Sequence, residues 1–421
     1  MKHSGNISFY NKDGRLKLLS VHVVIRHGDR LHLNPLPDNS LLRIPCHLSV
    51  SQLKSSHLAA RYERAMRSLA QRQSNQTFHG MDLHPDQEWC GLGHLTPYGA
   101  MQHVITGDYL RRKYLHMLSM QSHGHPEEAV LVKSTKYSRN FQSAIAFMHG
   151  FLPDTPPTLL NMEKVDNVSF CSINSGHPCQ CAASEKFKDI FPARFRQLGN
   201  NIRTSRRIIP VYDNLSKVFG VDPEAILPPS HNMDIFMAHV CHATPLSGNR
   251  GQCLASRTVR NLYDALSENG QEALKDSNYL RGVRLNMQPL LYEIAERMIK
   301  QTAKQTKPLK FVLYSGHDTT IEPLAAALGF SSGIWARYAS RIVFELYHNT
   351  LSPAKQYVRV LYNGRVVTDL MPFCRNSDQI ERSGLCPLRQ LVNFVRMGNM
   401  RDLGARDYEE ACAVPIDADP Y

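Results

Sequence analysis

Three short apolar runs punctuate the chain, and each is cut off by a polar turn. The first, Val21 to Ile25, is mostly β-branched and stops at Arg26-His27-Gly28-Asp29-Arg30. A run of this kind closed by glycine predicts a buried strand that opens into a loop. The second, AVLVKST from Ala129 to Thr135, meets Tyr137-Ser138-Arg139-Asn140 and then the helical stretch FQSAIAFMHGF. The third, KFVLY from Lys310 to Tyr314, meets Ser315-Gly316-His317-Asp318-Thr319-Thr320 and then IEPLAAALGF. Between the first two runs the period changes to that of a helix. Leu53, Leu58, Tyr62, Met66 and Leu69 predict a helix over 52–72. Thr96-Pro97 is an N-cap followed by proline in the first turn, and it starts another helix. That helix should turn Met101, Ile105, Leu110, Tyr114 and Leu118 inward and Arg111, Arg112 and Lys113 outward. Late in the chain, Arg341 to Tyr347 and Gln356 to Leu361 alternate apolar and polar, as an antiparallel pair does.

Alternating strands and helices predict an α/β fold: a mixed, mainly parallel central sheet flanked by helices, with an inserted, mostly helical region. Residues 1–17 are a polar, flexible lead-in. Residues 18–151 and 306–421 make the α/β core. Residues 152–305, poor in strand-like runs, make the helical insertion that caps it. At 421 residues the chain can bury a large core.

Charge and cysteine change this picture in two ways. Lys plus Arg number 49 against 37 for Asp plus Glu, a net +12, which favours an anionic partner. No basic stretch is interleaved with aromatics as in a nucleic-acid motif, so nucleic acid is not expected as a partner. The basic group Arg194, Arg196, Arg203, Arg206 and Arg207 reads as a solvated face before it reads as a contact for an anionic polymer. Ten cysteines and sequons at Asn6, Asn75, Asn167 and Asn214 favour an oxidising, secretory compartment with disulfides and glycans. Cys171, His177, Cys179 and Cys181 have a spacing that zinc could use, but disulfides fit that compartment better, so no metal is expected. No run of 18 apolar residues offers a membrane span, and the N-terminal residues lack the apolar core of a signal peptide. A secretory setting then implies a signal or a membrane anchor upstream of this chain.

The chemistry lies at the three strand ends. Arg26, Arg30 and Arg139 present planar forks that match phosphate oxygens. With His317 they would hold a phosphate dianion and neutralise charge that builds on it during transfer. His27, inside that cluster, can attack phosphorus. Asp318 can give the leaving alkoxide its proton and then help water cleave the phosphohistidine. The guanidiniums do the work a metal would do, so no cofactor is required.

These segments resemble the histidine acid phosphatase family, the branch-two histidine phosphatases. VVIRHGDR is similar to its nucleophile motif, LTPYGAMQHVITGDYLRRKY to its LTxxGxxQ helix, STKYSRNFQSAIAF to the segment carrying its third phosphate arginine, and YSGHDTT to its His-Asp motif. The resemblance runs from about residue 18 to 412 and is weakest in the insertion. It implies a phosphomonoesterase with His27 as nucleophile, Asp318 as proton donor, and Arg26, Arg30, Arg139 and His317 as phosphate ligands. The family follows its second motif arginine with any residue and then proline; here Leu31 and His32 stand there. The resemblance also implies a Cys374–Cys386 bridge and places Cys412 near Cys179 and Cys181. It puts Arg341 where the family offers Cys241 a distant partner, so Cys241 is expected to pair with Cys253. Taken with the length, the sequons and the GHPCQCAAS region, the resemblance implies a phosphorylated glycan as substrate, xylose 2-phosphate in a proteoglycan linkage region. Glycosaminoglycan-synthesising enzymes are then candidate partners and the Golgi lumen the expected site. Inositol polyphosphates and lysophosphatidate are alternative substrates on the same scaffold. A catalytically dead binder of anionic glycans is the alternative outside enzymes.

Overall fold

The computed structural model describes residues 15–36, 43–72, 80–85, 87–120, 124–171, 179, 181–184, 208–242, 253–302, 309–375, 384–401 and 403–413. Strand β1, Leu16–Arg26, is the centre of the sheet because its residues are buried on both faces from Ser20 onward. It pairs in parallel with β4, Phe311–Gly316. β4 pairs in parallel with β2, Val130–Thr135, and β2 with β3, Met162–Val165. On its other edge β1 meets β5, Arg341–Asn349, in antiparallel register. β6, Gln356–Tyr362, continues antiparallel and carries the two-residue strands β7, Arg365–Val366, and β8, Cys386–Pro387. The spatial order is β3-β2-β4-β1-β5-β6-β7. This is the mixed, mainly parallel sheet the alternation predicts, with the antiparallel pair where residues 341–361 put it.

Helices cover both faces. On one, α1 (Val50–Ser55), α2 (His57–Arg72), α3 (Pro97–Tyr114) and α4 (Ser138–Phe151) lead into a core of Val23, Ile25, Val104, Phe147 and Phe311. The helix expected over 52–72 is broken because Ser56 is extended, at φ −139° and ψ 112°. α3 keeps its Thr96 cap, but Ile105 is 53% exposed, against expectation. The face that packs runs through Ala100, Val104, Gly107, Leu110 and Tyr114, because small residues let α3 lie close to α4. Lys113 also departs from the outward reading: its Nζ is 3.1 Å from the fully buried Glu345.

Further along come α5 (Ile209–Phe219), α6 (Pro229–Cys241), α7 (Ser256–Ala273) and α8 (Ser277–Thr302). α5, α6 and α7 close a core of their own around Val211, Leu215, Phe219, Phe236 and Leu262. α8 instead buries Met287, Leu290, Leu291 and Ile294 on the second face of the sheet, beside Val24, Val312 and Tyr314. α9, Asp318–Ala327, packs there too.

Four disulfides tie the chain: Cys46–Cys90, Cys171–Cys179, Cys181–Cys412 and Cys374–Cys386. The expected Cys241–Cys253 bridge is a correction, since both are free thiols. Cys241 ends α6 with its thiol bonded to the Asp29 carboxylate, and Cys253 is exposed just before α7. Three of the four residues with zinc-like spacing are taken by disulfides, and His177 lies outside the described residues. Asn6, Asn75 and the Arg194–Arg207 group also lie outside them. Asn214 is half-buried on α5. The Asn167 amide donates to the Cys171 carbonyl at 3.0 Å and accepts from its N–H at 2.9 Å. No helix among the described residues is long and apolar enough to cross a membrane.

Candidate active site

The parallel register brings the three polar turns to one edge of the sheet. Arg26 stands opposite Gly316, and Ser134 opposite Ser315. All three strands therefore end together, at the carboxyl edge where open α/β sheets bind ligands. β1 delivers Arg26 and His27 there. The start of α4 delivers Arg139, and the start of α9 delivers His317 and Asp318.

The turn after β1 is pressed against the N-terminus of α3. A methyl group on Gly28 would sit 2.2 Å from the Gly99 carbonyl oxygen, so neither chain can carry a side chain there. Thr96 holds the turn from the other side: its N–H donates to the Asp29 carbonyl at 3.0 Å. Asp29 N–H donates to Gln102 Oε1 at 2.9 Å and Gly28 N–H to Ser143 Oγ at 3.0 Å. The loop is thus fixed by backbone and side-chain bonds to α3 and α4 before any ligand arrives.

His27 is buried, and its Nδ1 lies 2.8 Å from the carbonyl oxygen of Gly28. A carbonyl can only accept, so Nδ1 carries the proton and Nε2 keeps its lone pair. Burial, then Arg26, Arg30 and Arg139 in turn, hold the imidazole pKa well below its usual value. The ring is neutral and has one free nitrogen in a nest of cations.

Arg26 is almost fully buried. One terminal nitrogen donates to the Ala336 carbonyl and the other lies 3.0 Å from Asp318 Oδ2. Tyr338 lies under its guanidinium at 4.4 Å. Asp318 also accepts from the Trp335 indole N–H at 2.8 Å and from the Thr319 N–H at 2.9 Å. Burial pushes its carboxyl up, but Arg26, the indole and Arg30 outweigh this and bring it down to about 2. His317 caps the same helix and shares a 3.0 Å bond between Nε2 and Thr135 Oγ1. Burial, then Arg139, lowers its imidazole to about 4. Arg139 stacks on Tyr137 at 4.5 Å, and burial, then Arg30, brings it down to about 10. Arg30 forms two bonds to Asp234, at 2.9 and 3.0 Å.

The Nε atoms of Arg26, Arg30 and Arg139 are all buried without an acceptor among the described residues. Unmet donors of this kind are rare in a folded interior unless a ligand supplies the oxygens. Three guanidiniums with free donors around one neutral imidazole fit a tetrahedral oxyanion.

All six residues expected at the site lie at this sheet edge. The sequence reading overlooked four that hold them: Trp335 on Asp318, Thr135 on His317, Ser143 on the Gly28 turn and Asp234 on Arg30. Thr135 is the last residue of β2, so its place beside Arg139 was a signal available in the sequence. Ser143 likewise lies one helical turn past Arg139 in the quoted STKYSRNFQSAIAF segment, whereas Trp335 and Asp234 come from segments with no motif to mark them.

The model of the histidine phosphatase superfamily (branch 2) matches residues 17–218 and 243–363. A Xenopus tropicalis protein named 2-phosphoxylose phosphatase 1 is 29% identical over 397 residues, covering 94% of this chain and 77% of that protein. The Homo sapiens protein of the same name is 30% identical over 402 residues, covering 94% and 81%. Among solved structures, the Bifidobacterium longum multiple inositol polyphosphate phosphatase bound to inositol hexasulfate superposes with a TM-score of 0.58 at 14% identity, covering 91% of this chain and 93% of that one. At that identity the likeness bears on the fold alone.

Proposed function

The chain belongs to the histidine phosphatase superfamily, branch 2, and from that premise we propose that it hydrolyses a sugar phosphate monoester through a phosphohistidine on His27. The observation that carries this is the locked His27 ring: Nδ1 bound to the Gly28 carbonyl, and Nε2 free among Arg26, Arg30 and Arg139. The phosphate takes the open donors of the three guanidiniums, with His317 at its side. Nε2 attacks phosphorus in line, the P–N bond forms, and the P–O bond to the sugar breaks. The electron pair leaves on the sugar oxygen, which takes a proton from Asp318.

Asp318 is ionised in the free site, because Arg26 and Trp335 favour the carboxylate. A bound phosphate draws Arg26 and Arg30 to itself and adds negative charge beside Asp318. Both changes raise the proton affinity of the carboxyl, and a substrate monoanion can bring the proton in. In the second half, Asp318 takes a proton from water as the water oxygen attacks phosphorus, releasing His27 and inorganic phosphate.

For the substrate we propose the 2-phosphate of xylose in a glycosaminoglycan–protein linkage region. The names of relatives at 29 and 30% identity support this, as does the +12 charge of a chain that would meet an acidic glycan. Four disulfides suit an oxidising secretory lumen. Within it, the Golgi, with glycosaminoglycan-synthesising enzymes as neighbours, is the setting we propose.

The test is direct. His27→Ala should abolish turnover, and rapid acid quench of the unaltered enzyme should trap phosphate on His27. Retained turnover, or phosphate on a serine, would sink the mechanism. The substrate is tested separately, by kcat/KM for a linkage oligosaccharide bearing phosphoxylose, for free xylose 2-phosphate and for inositol hexakisphosphate. The oligosaccharide should be preferred; if inositol hexakisphosphate wins, the glycan reading falls and the chemistry stands.

A further inference from the structure

Arg30 has five N–H donors on a planar fork. Nη1 gives one to the Leu31 carbonyl at 3.0 Å and one to Asp234 Oδ2 at 3.0 Å. Nη2 stands 2.9 Å from Asp234 Oδ1 as an ion pair. The donors that face away from Asp234 and Leu31 are Nε–H and the second Nη2–H. They lie side by side along one edge of the guanidinium, the spacing that matches two phosphate oxygens. Nε is buried and meets no acceptor among the described residues. The occupied edge therefore decides which edge faces the ligand.

We infer that Asp234 is a positioning residue, which holds Arg30 end-on from helix α6 so that its Nε/Nη2 edge faces the phosphate. The carboxylate is itself fixed, since Leu33 N–H donates to Oδ2 at 2.9 Å. It is thus tied both to Arg30 and to the backbone just beyond. The end of the same helix makes a second grip on the same turn: His242 Nε2 lies 2.7 Å from Asp29 Oδ2, with both side chains buried. α6 stands in the stretch that follows the first half of the sheet, yet it contacts two consecutive residues of the nucleophile turn. A helix that served only to close a lid over the site would not need to spend two buried polar contacts on the turn itself. Arg30 without Asp234 would keep only the single Nη1 bond to the Leu31 carbonyl, and its attraction to phosphate would have to complete its ordering at the moment of binding.

The inference rests on the reading of Arg30 as a phosphate ligand, and the test separates the two. Asp234→Asn, Arg30→Lys and the double variant are compared using inorganic phosphate and orthovanadate as competitive inhibitors of 4-nitrophenyl phosphate hydrolysis. Asp234→Asn should weaken both inhibitors and raise KM by about tenfold, with a smaller fall in kcat. Arg30→Lys, which has no fork to orient, should weaken them as well. In the lysine background Asp234→Asn should add less than about twofold, because both changes remove one arrangement. A full tenfold effect in that background, or unchanged inhibition in Asp234→Asn, overturns the inference. Unchanged inhibition in Arg30→Lys overturns the reading of Arg30 instead. Should Asp234→Asn fail to fold, Asp234→Glu keeps the charge and moves the carboxylate by one methylene. It should weaken inhibition in the same direction, and wild-type inhibition there overturns the inference.

Discussion

Replacing Asp318 by Asn removes the proton donor and the negative charge while keeping the volume. The carboxylate offers Oδ2 to the Trp335 indole and Oδ1 to the Thr319 N–H, and the amide keeps an oxygen for only one of them. It cannot give a proton to a leaving oxygen. Positioned general acids contribute about 10²–10⁴-fold, and a sugar hydroxyl leaves badly as an anion. Hydrolysis of xylose 2-phosphate should therefore fall at least ~100-fold, or about 2.7 kcal/mol of transition-state stabilisation. 4-Nitrophenyl phosphate needs little protonation, so its loss should stay within about tenfold. The site's affinity for phosphate should hold or rise, because Arg26 Nη2 loses its 3.0 Å carboxylate partner and is free for the ligand. The assay is kcat for both substrates plus competitive inhibition by inorganic phosphate. Equal losses for both substrates would refute the role of Asp318 as proton donor. Weaker phosphate binding would show that the carboxylate organises Arg26 more than it competes for it.

Four further outcomes follow from particular contacts. Cys241 and Cys253 are free, so alkylation under non-reducing conditions followed by peptide mapping should label both; a peptide linking them would contradict the structure. Glu345 is fully buried among Arg359, Lys113 and Tyr114, so Glu345→Ala should cost about 3–5 kcal/mol in denaturant unfolding by stranding a buried arginine; a loss under 1 kcal/mol would mean the network is not what holds β5 to β6. Burial raises the Glu322 carboxyl from 4.5 to about 7, so the unfolded chain ionises there first and stability is lost as pH climbs from about 4.5 towards 7. Glu322→Gln should flatten that decline in thermal unfolding between pH 5 and pH 8, and an unchanged pH slope would count against it. Chelators should leave turnover unaltered, and inhibition that a divalent ion reverses would contradict the arginine-based site.

What could be read from the sequence was local. Arg26, His27 and Arg30 sit within five positions, and His317 and Asp318 are adjacent, each just past a strand whose apolar run is obvious. Once three such strands are parallel neighbours, their ends must meet. What could not be read has long range or a short signal. β3 has four residues with two charges facing out, too few for alternation to show. Ile105 fits the apolar period of α3, but Gly107 and Ala100 set which side packs. Asp234 lies 204 residues from Arg30, and no periodicity links them. Cys241 and Cys253 are near in sequence, but nearness along the chain does not orient two Cβ atoms towards each other.

The missing proline after the nucleophile motif illustrates the same division. Proline would stiffen the turn through its fixed φ, by restricting the unfolded chain as much as by shaping the folded one. With Leu31 and His32 in its place, the stiffness has to come from contacts. Leu31 N–H donates to the His94 carbonyl at 3.0 Å, and Gly93 N–H returns to the Leu31 and His32 carbonyls at 3.2 and 3.0 Å. Arg30 forms a bridge with Leu95. The His32 ring is buried, bonded through Nδ1 to the Asn34 carbonyl and stacked on His239 of α6 at 6.4 Å. A sequence motif reports rigidity only when one residue carries it. Here it is spread over His94, Gly93, Asp234 and His239, so the motif looks incomplete while the turn it describes is fully held.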